Sequence, residues 1–298
     1  MPINNDEKIK VIYISGMGRS GSTLIDLILS TSNKIFSVGE IYKHKQLKND
    51  NFICACGDKF NDCKFWGNFN LNKNYFNIIN RVNYRDYLNI INYLYNPFNS
   101  KISLNKKSDN YGILKKVTEL IPKETEYILD SSKELGRLIE LTNDSRFDVY
   151  NINIVRDGRA VANSFNSKTQ SHGKNYFASL FKWILMNTLI FKYIKRSKVN
   201  SLNISYDSFC LESEKYIKKL NKFLNINISN NYIEIARNMD YHCMGGNRLS
   251  HKENRAKIAG ITIDEKWKTQ RNKFTRIMST GISYFFNKKW VYTKKINI

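Results

Sequence analysis

The chain has 298 residues, of which 42% are hydrophobic and 13% aromatic. This composition supports a folded core and excludes a disordered or fibrous protein. The formal net charge of +22 indicates an anionic partner, but the sequence has no basic block interleaved with aromatic residues, which disfavours a nucleic-acid-binding protein.

Strands and helices are predicted to alternate along the chain. In chain order, the predicted elements are a strand at 11–15, a helix at 24–29, a strand at 35–38, helices at 75–95 and 110–121, a strand at 127–130, a helix at 133–141, a strand at 149–155, helices from 159 and at 176–194, a strand at 199–204, and helices at 208–224 and 264–286. Residues 44–74 are predicted to be irregular, and Ser131 and Ser132 are expected to cap the helix that follows them.

This alternation predicts an α/β protein with a three-layer, P-loop-type fold, in which helices flank a central parallel sheet. The sequence shows no internal repeat and no linker, so we expect a single domain over 1–298. Ligands of such sheets bind outside the carboxyl ends of the strands. The chemically informative segments follow predicted strands: the glycine-rich turn after residue 15, Glu40, residues 131–133, and Arg156.

The glycine-rich turn between the first strand and the first helix is suited to binding a phosphate, because its backbone N–H groups and the helix N-terminus converge on one point. Gly16 and Gly21 have the spacing of a Walker A loop, but Ser22 stands where that loop has its lysine, and the cation comes earlier, at Arg19. A loop without that lysine is poorly equipped for ATP or GTP hydrolysis. It suits a nucleotide whose single 5′ phosphate carries a group other than phosphate.

A second phosphate site is predicted where the strand at 149–155 ends. Arg156 closes that strand, and Ser164 lies about two turns into the next helix, roughly in line with its start. An arginine fork and a serine hydroxyl together bind a phosphate well. Two separate phosphate sites on one sheet predict a nucleotide that is phosphorylated at both ends of its ribose.

These two motifs resemble those of the sulfotransferases that use 3′-phosphoadenosine 5′-phosphosulfate (PAPS). Residues 16–23 resemble the loop that binds the 5′-phosphosulfate, and Arg156 with Ser164 resembles the motif that binds the 3′-phosphate. Other segments of that family are matched in the same order, over nearly the whole chain: Gly39-Glu40, the cysteine-containing segment 54–66, Ser205-Tyr206-Asp207, Gly246-Asn247, and Asp264 to Trp267.

The resemblance implies an enzyme that moves a sulfuryl group from PAPS to an acceptor hydroxyl by in-line displacement. It implies Glu40 as the general base and Arg19 at the departing bridge oxygen. Lys133 is the third candidate catalytic residue, at the transferring sulfonate, because it follows a predicted strand at the edge that faces the same crevice. The residues that it implies for holding PAPS, or the product PAP, are Gly18, Arg19, Ser20, Gly21, Ser22, Thr23, Arg156, Ser164 and Tyr206.

Ordinary structural roles stay open beside the implied ones. Glu40 is also a helix-start acid, Lys133 a first-turn lysine and Tyr206 a core tyrosine. Arg137 is interpreted as a charge on a helix face. Asp157 and Arg159 are expected to serve local structure.

The cysteines do not predict a disulfide framework, because their number is odd. Cys54, Cys56 and Cys63 supply three thiols without an obvious fourth ligand, although His44 is a candidate. Free thiols or a local structural link are favoured over zinc. No metal is required for the predicted chemistry.

Two other function classes remain as alternatives, a P-loop kinase of small molecules and a non-catalytic basic nucleotide-binding protein. The acceptor class stays open among carbohydrate, lipid, small molecule and peptide, and so does the oligomeric state. We expect a cytoplasmic protein without a membrane span, because residues 1–10 are polar and the apolar stretch at 177–194 is interrupted by Lys182, Asn187 and Lys192.

Overall fold

A computed structural model of the chain describes residues 8–42, 53–69, 83–99, 101–102, 104, 108–166, 175–246 and 248–292. Five strands form one parallel sheet in the order β2-β3-β1-β4-β5. The strands are β1 (Ile9–Gly16), β2 (Ile35–Gly39), β3 (Tyr127–Lys133), β4 (Phe147–Val155) and β5 (Asn200–Ser205). After β1 the chain builds one side of the sheet, and after β3 it crosses to the other side.

Helices flank the sheet, as predicted. They are α1 (Ser22–Leu29), α2 (Tyr84–Tyr95), α3 (Asn110–Leu120), α4 (Leu135–Thr142), α5 (Gly158–Phe165), α6 (Tyr176–Ser197), α7 (Tyr206–Leu211), α8 (Ser213–Leu224), α9 (Tyr232–Asn238), α10 (Lys252–Arg255), α11 (Trp267–Gln270) and α12 (Lys273–Trp290). The inner strands are buried on both faces, because a parallel sheet is covered on both sides, and in β4 buried Asn151 and Asn153 alternate with isoleucines. Ile12 and Ile14 of β1 are fully buried, as are Ile152 and Ile154 of β4.

Three predicted boundaries were wrong. Ser131 and Ser132 do not cap a helix; they are buried in β3, and the next helix begins after Glu134, which makes no side-chain cap. The extension has a physical cause, since the pairing of β3 with β1 continues as far as Lys133 opposite Ser15.

The other two errors are breaks in helices that were predicted to be continuous. The predicted helix 208–224 is divided into α7 and α8 at Glu212, whose backbone is not helical (φ −129°, ψ 47°). The predicted helix 264–286 is divided into α11 and α12, because the Asn272 side chain accepts from the Thr275 amide and starts a new helix. Helices α9 and α10 were not predicted, and residues 75–82 of the predicted helix 75–95 lie outside the described residues.

The chain divides into two compact units. The described residues of unit 1 lie within Met1–Ser15, Thr23–Asn151 and Ile226–Ala259, and those of unit 2 within Gly16–Ser22, Ile152–Asn225 and Gly260–Ile298. Unit 2 contains an apolar cluster in which Leu180 and Trp183 of α6 are fully buried. Within the described ranges, α6 alone is long and apolar enough to cross a membrane, a test that a core helix also passes.

Candidate functional site

The glycine-rich turn of unit 2 has the strained backbone that its sequence predicts. Gly16 has φ +129°, and a Cβ there would lie 2.3 Å from the Ile154 carbonyl oxygen. Gly21 has φ +90°, and a Cβ there would lie 2.0 Å from the Tyr206 ring. Arg19 also has a positive φ, of 73°, which is uncommon for a residue with a side chain and clusters at functional sites.

Arg156 lies directly against this turn. Its Nη1 donates to the Arg19 carbonyl oxygen at 3.2 Å, and its guanidinium lies 5.1 Å from the centre of the Tyr206 ring. The residue at the end of β4 therefore contacts the glycine-rich turn, as predicted, within unit 2. Gly21, Arg19, Arg156 and Tyr206 form one contiguous group, which we call the turn cluster.

Asp207 reinforces this arrangement beside Tyr206. Its carboxylate accepts from the Asp157 amide at 3.0 Å and so holds the backbone immediately after Arg156. Burial raises the pKa of Asp207, and burial likewise raises the pKa of Tyr206. Asp157 and Arg159 serve local structure, as predicted: the Asp157 carboxylate caps α5 and pairs with Arg159 at 2.6 Å.

Two buried polar atoms of the turn cluster and its loop lack a hydrogen-bond partner among the described residues. They are the Ser20 hydroxyl oxygen and the Nε of Arg156. Buried polar groups are nearly always hydrogen-bonded, so an orphaned hydroxyl and an orphaned guanidinium N–H in a glycine-rich turn fit an anionic ligand. Ser22, also buried, begins α1 and presents the helix N-terminus there.

Ser164 lies on α5, half-buried, in the same unit as Arg156. The C-terminal segment docks on this helix. Asn163 donates to Gln270 at 2.9 Å and accepts from Arg271 at 2.6 Å, while Trp267 lies 4.0 Å from the Arg159 guanidinium.

Asp264 begins this segment and contacts Arg156 twice. Its carbonyl oxygen accepts from Nη2 at 2.9 Å, and its carboxylate lies 3.4 Å from the same nitrogen. Sequence reasoning identified the segment but missed these contacts, and it missed the roles of Gln270 and Arg271. The one feature of the sequence that could have indicated these contacts is an acidic residue, Asp264, three positions before Trp267 in a basic tail.

The predicted base and its lysine meet in unit 1. Lys133 Nζ donates to the Glu40 carboxylate at 2.8 Å and to the Ser131 carbonyl at 2.9 Å. Both side chains are largely buried, with 7% of Glu40 and 12% of Lys133 exposed. Lys133 has φ +67°, so its position, like that of Arg19, is kept at a cost in backbone strain. The Glu40 amide donates to the Met244 carbonyl at 2.7 Å, which fixes the residue to a neighbouring segment.

Asp26 of α1 is a buried carboxyl that sequence reasoning missed. It accepts from the Tyr241 hydroxyl at 2.7 Å. Burial raises its pKa above the usual value, although the hydroxyl groups around it act in the opposite direction. Thr23, one of the predicted loop residues, precedes it on the same helix and lies in unit 1.

Arg137 does not lie on an exposed helix face, so that interpretation was wrong. It is 3% exposed and pairs with Asp130 at 2.5 Å, and it also donates to Asn110. A buried arginine without such partners would be costly, and Asp130 of β3 supplies the carboxylate that compensates its charge.

Comparison with known proteins gives matches among solved structures. No family model matches the chain, and no curated protein matches it. The sulfotransferase domain of the olefin synthase from Synechococcus PCC 7002 superposes with a TM-score of 0.51 at 16% identity, covering 94% of this chain and 97% of that one. The sulfotransferase domain from the curacin biosynthetic pathway superposes with a TM-score of 0.51 at 16% identity, covering 93% and 98%.

The chain has the sulfotransferase fold. The predicted α/β class is confirmed, and the resemblance drawn from the motifs is confirmed at the level of this fold. The residues of the turn cluster follow β1, β4 and β5, whereas Glu40 directly follows β2 and Lys133 is the last residue of β3. His44, His172 and Asn247 lie outside the described residues.

Proposed function

We propose that this protein is a sulfotransferase that moves a sulfuryl group from PAPS to an acceptor hydroxyl. The observation that carries the proposal is the turn cluster, where Arg156 lies 3.2 Å from the carbonyl oxygen of Arg19. A glycine turn without the Walker lysine, in contact with the buried Arg156, suits a nucleotide with a modified 5′ phosphate and a second phosphate on its ribose. The fold shared with two sulfotransferase domains supports this choice.

In the proposed assignment, residues 18–23 bind the 5′-phosphosulfate through backbone amides and the hydroxyls of Ser20, Ser22 and Thr23. Arg156 and Ser164 bind the 3′-phosphate, and Tyr206 contacts the nucleotide. The buried atoms of Ser20 and Arg156 that lack partners among the described residues support this assignment. PAPS is the donor substrate and leaves as the bisphosphate nucleotide PAP.

The proposed chemistry forms a bond from the acceptor oxygen to sulfur and breaks the bond from sulfur to the bridging oxygen. Glu40 takes the proton of the acceptor hydroxyl, and Lys133 beside it neutralises charge on the sulfonate. Arg19 stabilises the negative charge that develops on the bridging oxygen. The 2.8 Å ion pair supports the role of Glu40, since it stabilises a buried carboxylate in its charged form.

The binding assignment is tested by calorimetry with PAP and with adenosine 5′-phosphate, in the absence of magnesium. Arg156→Ala should weaken PAP about 10- to 100-fold, the loss of a charge-assisted contact, and adenosine 5′-phosphate much less. Arg146→Ala, which removes an arginine exposed at the surface and paired with Asp144, is the matched control. Equal losses for the two nucleotides would refute the 3′-phosphate site, and binding that requires magnesium would favour a kinase.

The catalytic assignment is tested by transfer of radiolabelled sulfate over a panel of acceptor classes, followed by single-turnover kinetics. Glu40→Gln should keep PAP affinity and lower the transfer rate by roughly 10²- to 10⁴-fold. Glu126→Gln is the matched control, because Glu126 pairs with Lys34 at 2.6 Å on the surface. An unchanged single-turnover rate in Glu40→Gln would remove Glu40 from the mechanism.

A further inference from the structure

Three cysteines are brought together by the folding of residues 53–69 in unit 1. Ile53 pairs with Lys59 in an antiparallel bridge, which closes a tight turn around Cys54 and Cys56. Gly57, directly after the second cysteine, has φ +105° and lets the chain reverse. The Cys63 amide then donates to the Lys59 carbonyl at 2.9 Å, which returns the third thiol to the first two.

A histidine from a distant part of the sequence completes this group. His242 Nδ1 lies 3.2 Å from the Cys63 sulfur, and the ligand atoms of Cys54, Cys56, Cys63 and His242 all lie within 4.8 Å of one another. The sulfur of Cys63 is 3.6 Å from that of Cys54 and 3.8 Å from that of Cys56. A tetrahedral zinc site with Zn–S bonds of about 2.3 Å requires sulfur–sulfur separations of about 3.8 Å. The cluster therefore already has the dimensions of such a site.

The surroundings of the cluster are those of a ligand set. The second ring nitrogen of His242 lies 3.1 Å from the Asp240 carboxylate. This contact orients the ring and keeps the proton on Nε2, which leaves Nδ1 as a lone-pair donor.

We propose that Cys54, Cys56, Cys63 and His242 bind a zinc ion. Three thiolates and one imidazole are a set that zinc prefers, and four protein ligands leave no position for a substrate, so the site is structural. Sequence reasoning lacked the fourth ligand, because His242 is far away in the sequence and has no partner at a metal-binding spacing.

The zinc site would join two segments of unit 1. One is the cysteine segment 53–69, and the other contains His242 and, two residues later, Met244. Met244 pairs with the end of β2: its amide donates to Val38 at 3.1 Å, and its carbonyl accepts from Glu40 at 2.7 Å. Metal binding therefore fixes the backbone that holds Glu40, whatever reaction the protein catalyses.

The test measures metal content and ligand-field spectra of the full chain, purified under reducing conditions and incubated with zinc or cobalt before gel filtration. The wild type should retain one equivalent of zinc, and the cobalt form should show the intense visible bands of tetrahedral coordination with a thiolate-to-cobalt charge-transfer band. Cys56→Ser and His242→Ala should lose both signals. Asp240→Asn should keep the four ligands but weaken zinc about 10- to 100-fold in competition with a chelator.

Matched controls are Cys210→Ser, a thiol in unit 2, and His251→Gln, a half-buried histidine outside the cluster; both should retain zinc. The wild-type cobalt spectrum decides the matter even where a ligand variant fails to fold. A reduced, folded wild type that retains no zinc and shows no cobalt bands would overturn the proposal. So would the loss of two hydrogens by intact mass, which marks a disulfide, or zinc retention in Cys56→Ser and His242→Ala.

Discussion

Asp264 contacts the guanidinium of Arg156, which is the group that the proposed 3′-phosphate would bind. Its carboxylate lies 3.4 Å from Arg156 Nη2, with 8% of the Arg156 side chain and 44% of the Asp264 side chain exposed. A phosphate that binds Arg156 must therefore compete with this carboxylate. Removing the charge of Asp264 should tighten the binding of PAP.

Asp264→Asn is the appropriate change, because it removes the charge and keeps the other contacts. The backbone carbonyl still accepts from Arg156, and the amide oxygen still accepts from the Lys266 amide, as the carboxylate does at 3.1 Å. Half-exposed ion pairs are worth about 0.2–1 kcal/mol. The released competition should therefore tighten PAP about 1.4- to 5-fold. The gain should shrink at 1 M salt, where the screening length is about 3 Å.

The measurement is calorimetry of PAP with wild type and Asp264→Asn at low and high salt. Glu265→Gln is the matched control: it removes the same charge one residue later, where Glu265 pairs with Lys268 at 2.5 Å and not with Arg156. Binding that stays the same or weakens in Asp264→Asn would refute the reasoning, and so would an equal gain in Glu265→Gln.

Three further predictions concern stability, each measured by urea denaturation. Gly21→Ala should cost about 2–4 kcal/mol through its positive φ and the clash with Tyr206, and Tyr206→Ala in the same chain should recover part of this. Arg137→Ala should cost about 3–5 kcal/mol, because it leaves Asp130 charged and buried; a cost below about 1 kcal/mol would contradict the pairing. Burial raises the pKa of Asp157, but Arg159 and other donors outweigh it and lower the pKa below 3.8. The stabilisation that Asp157→Asn removes should therefore be full at pH 7 and fade as the pH falls from 3.8 through the lowered value; a difference independent of pH would contradict this.

The parts of the candidate site that could be predicted are those that short segments of the sequence identify. The glycine turn and Arg156 each follow an apolar run, and the carboxyl ends of parallel strands meet at one edge, so their proximity followed from strand order. Glu40 and Lys133 were predicted in the same way, because each of them follows a predicted strand.

The parts that could not be predicted depend on pairings between distant segments. His242 joins the cysteines, and Asp264 joins Arg156, although the sequence around each of the two residues does not identify its distant partner. Arg137 was misassigned because helical spacing predicts which residues share a face of α4. It does not predict whether another element, here β3 with Asp130, places a buried carboxylate against that face. Ser131 and Ser132 favour helix caps by residue type, and the sheet pairing of β3 overrides that preference.

The backbone of Arg19 has a consequence for attempts to evolve or engineer this protein. A side chain at φ +73° costs about 1–3 kcal/mol, and glycine at the same position would relieve most of it. A screen that rewarded heat resistance alone would therefore favour Arg19→Gly and discard the cation in the same step. Libraries made from this chain should hold position 19 fixed, or select for catalytic output alongside tolerance to heat.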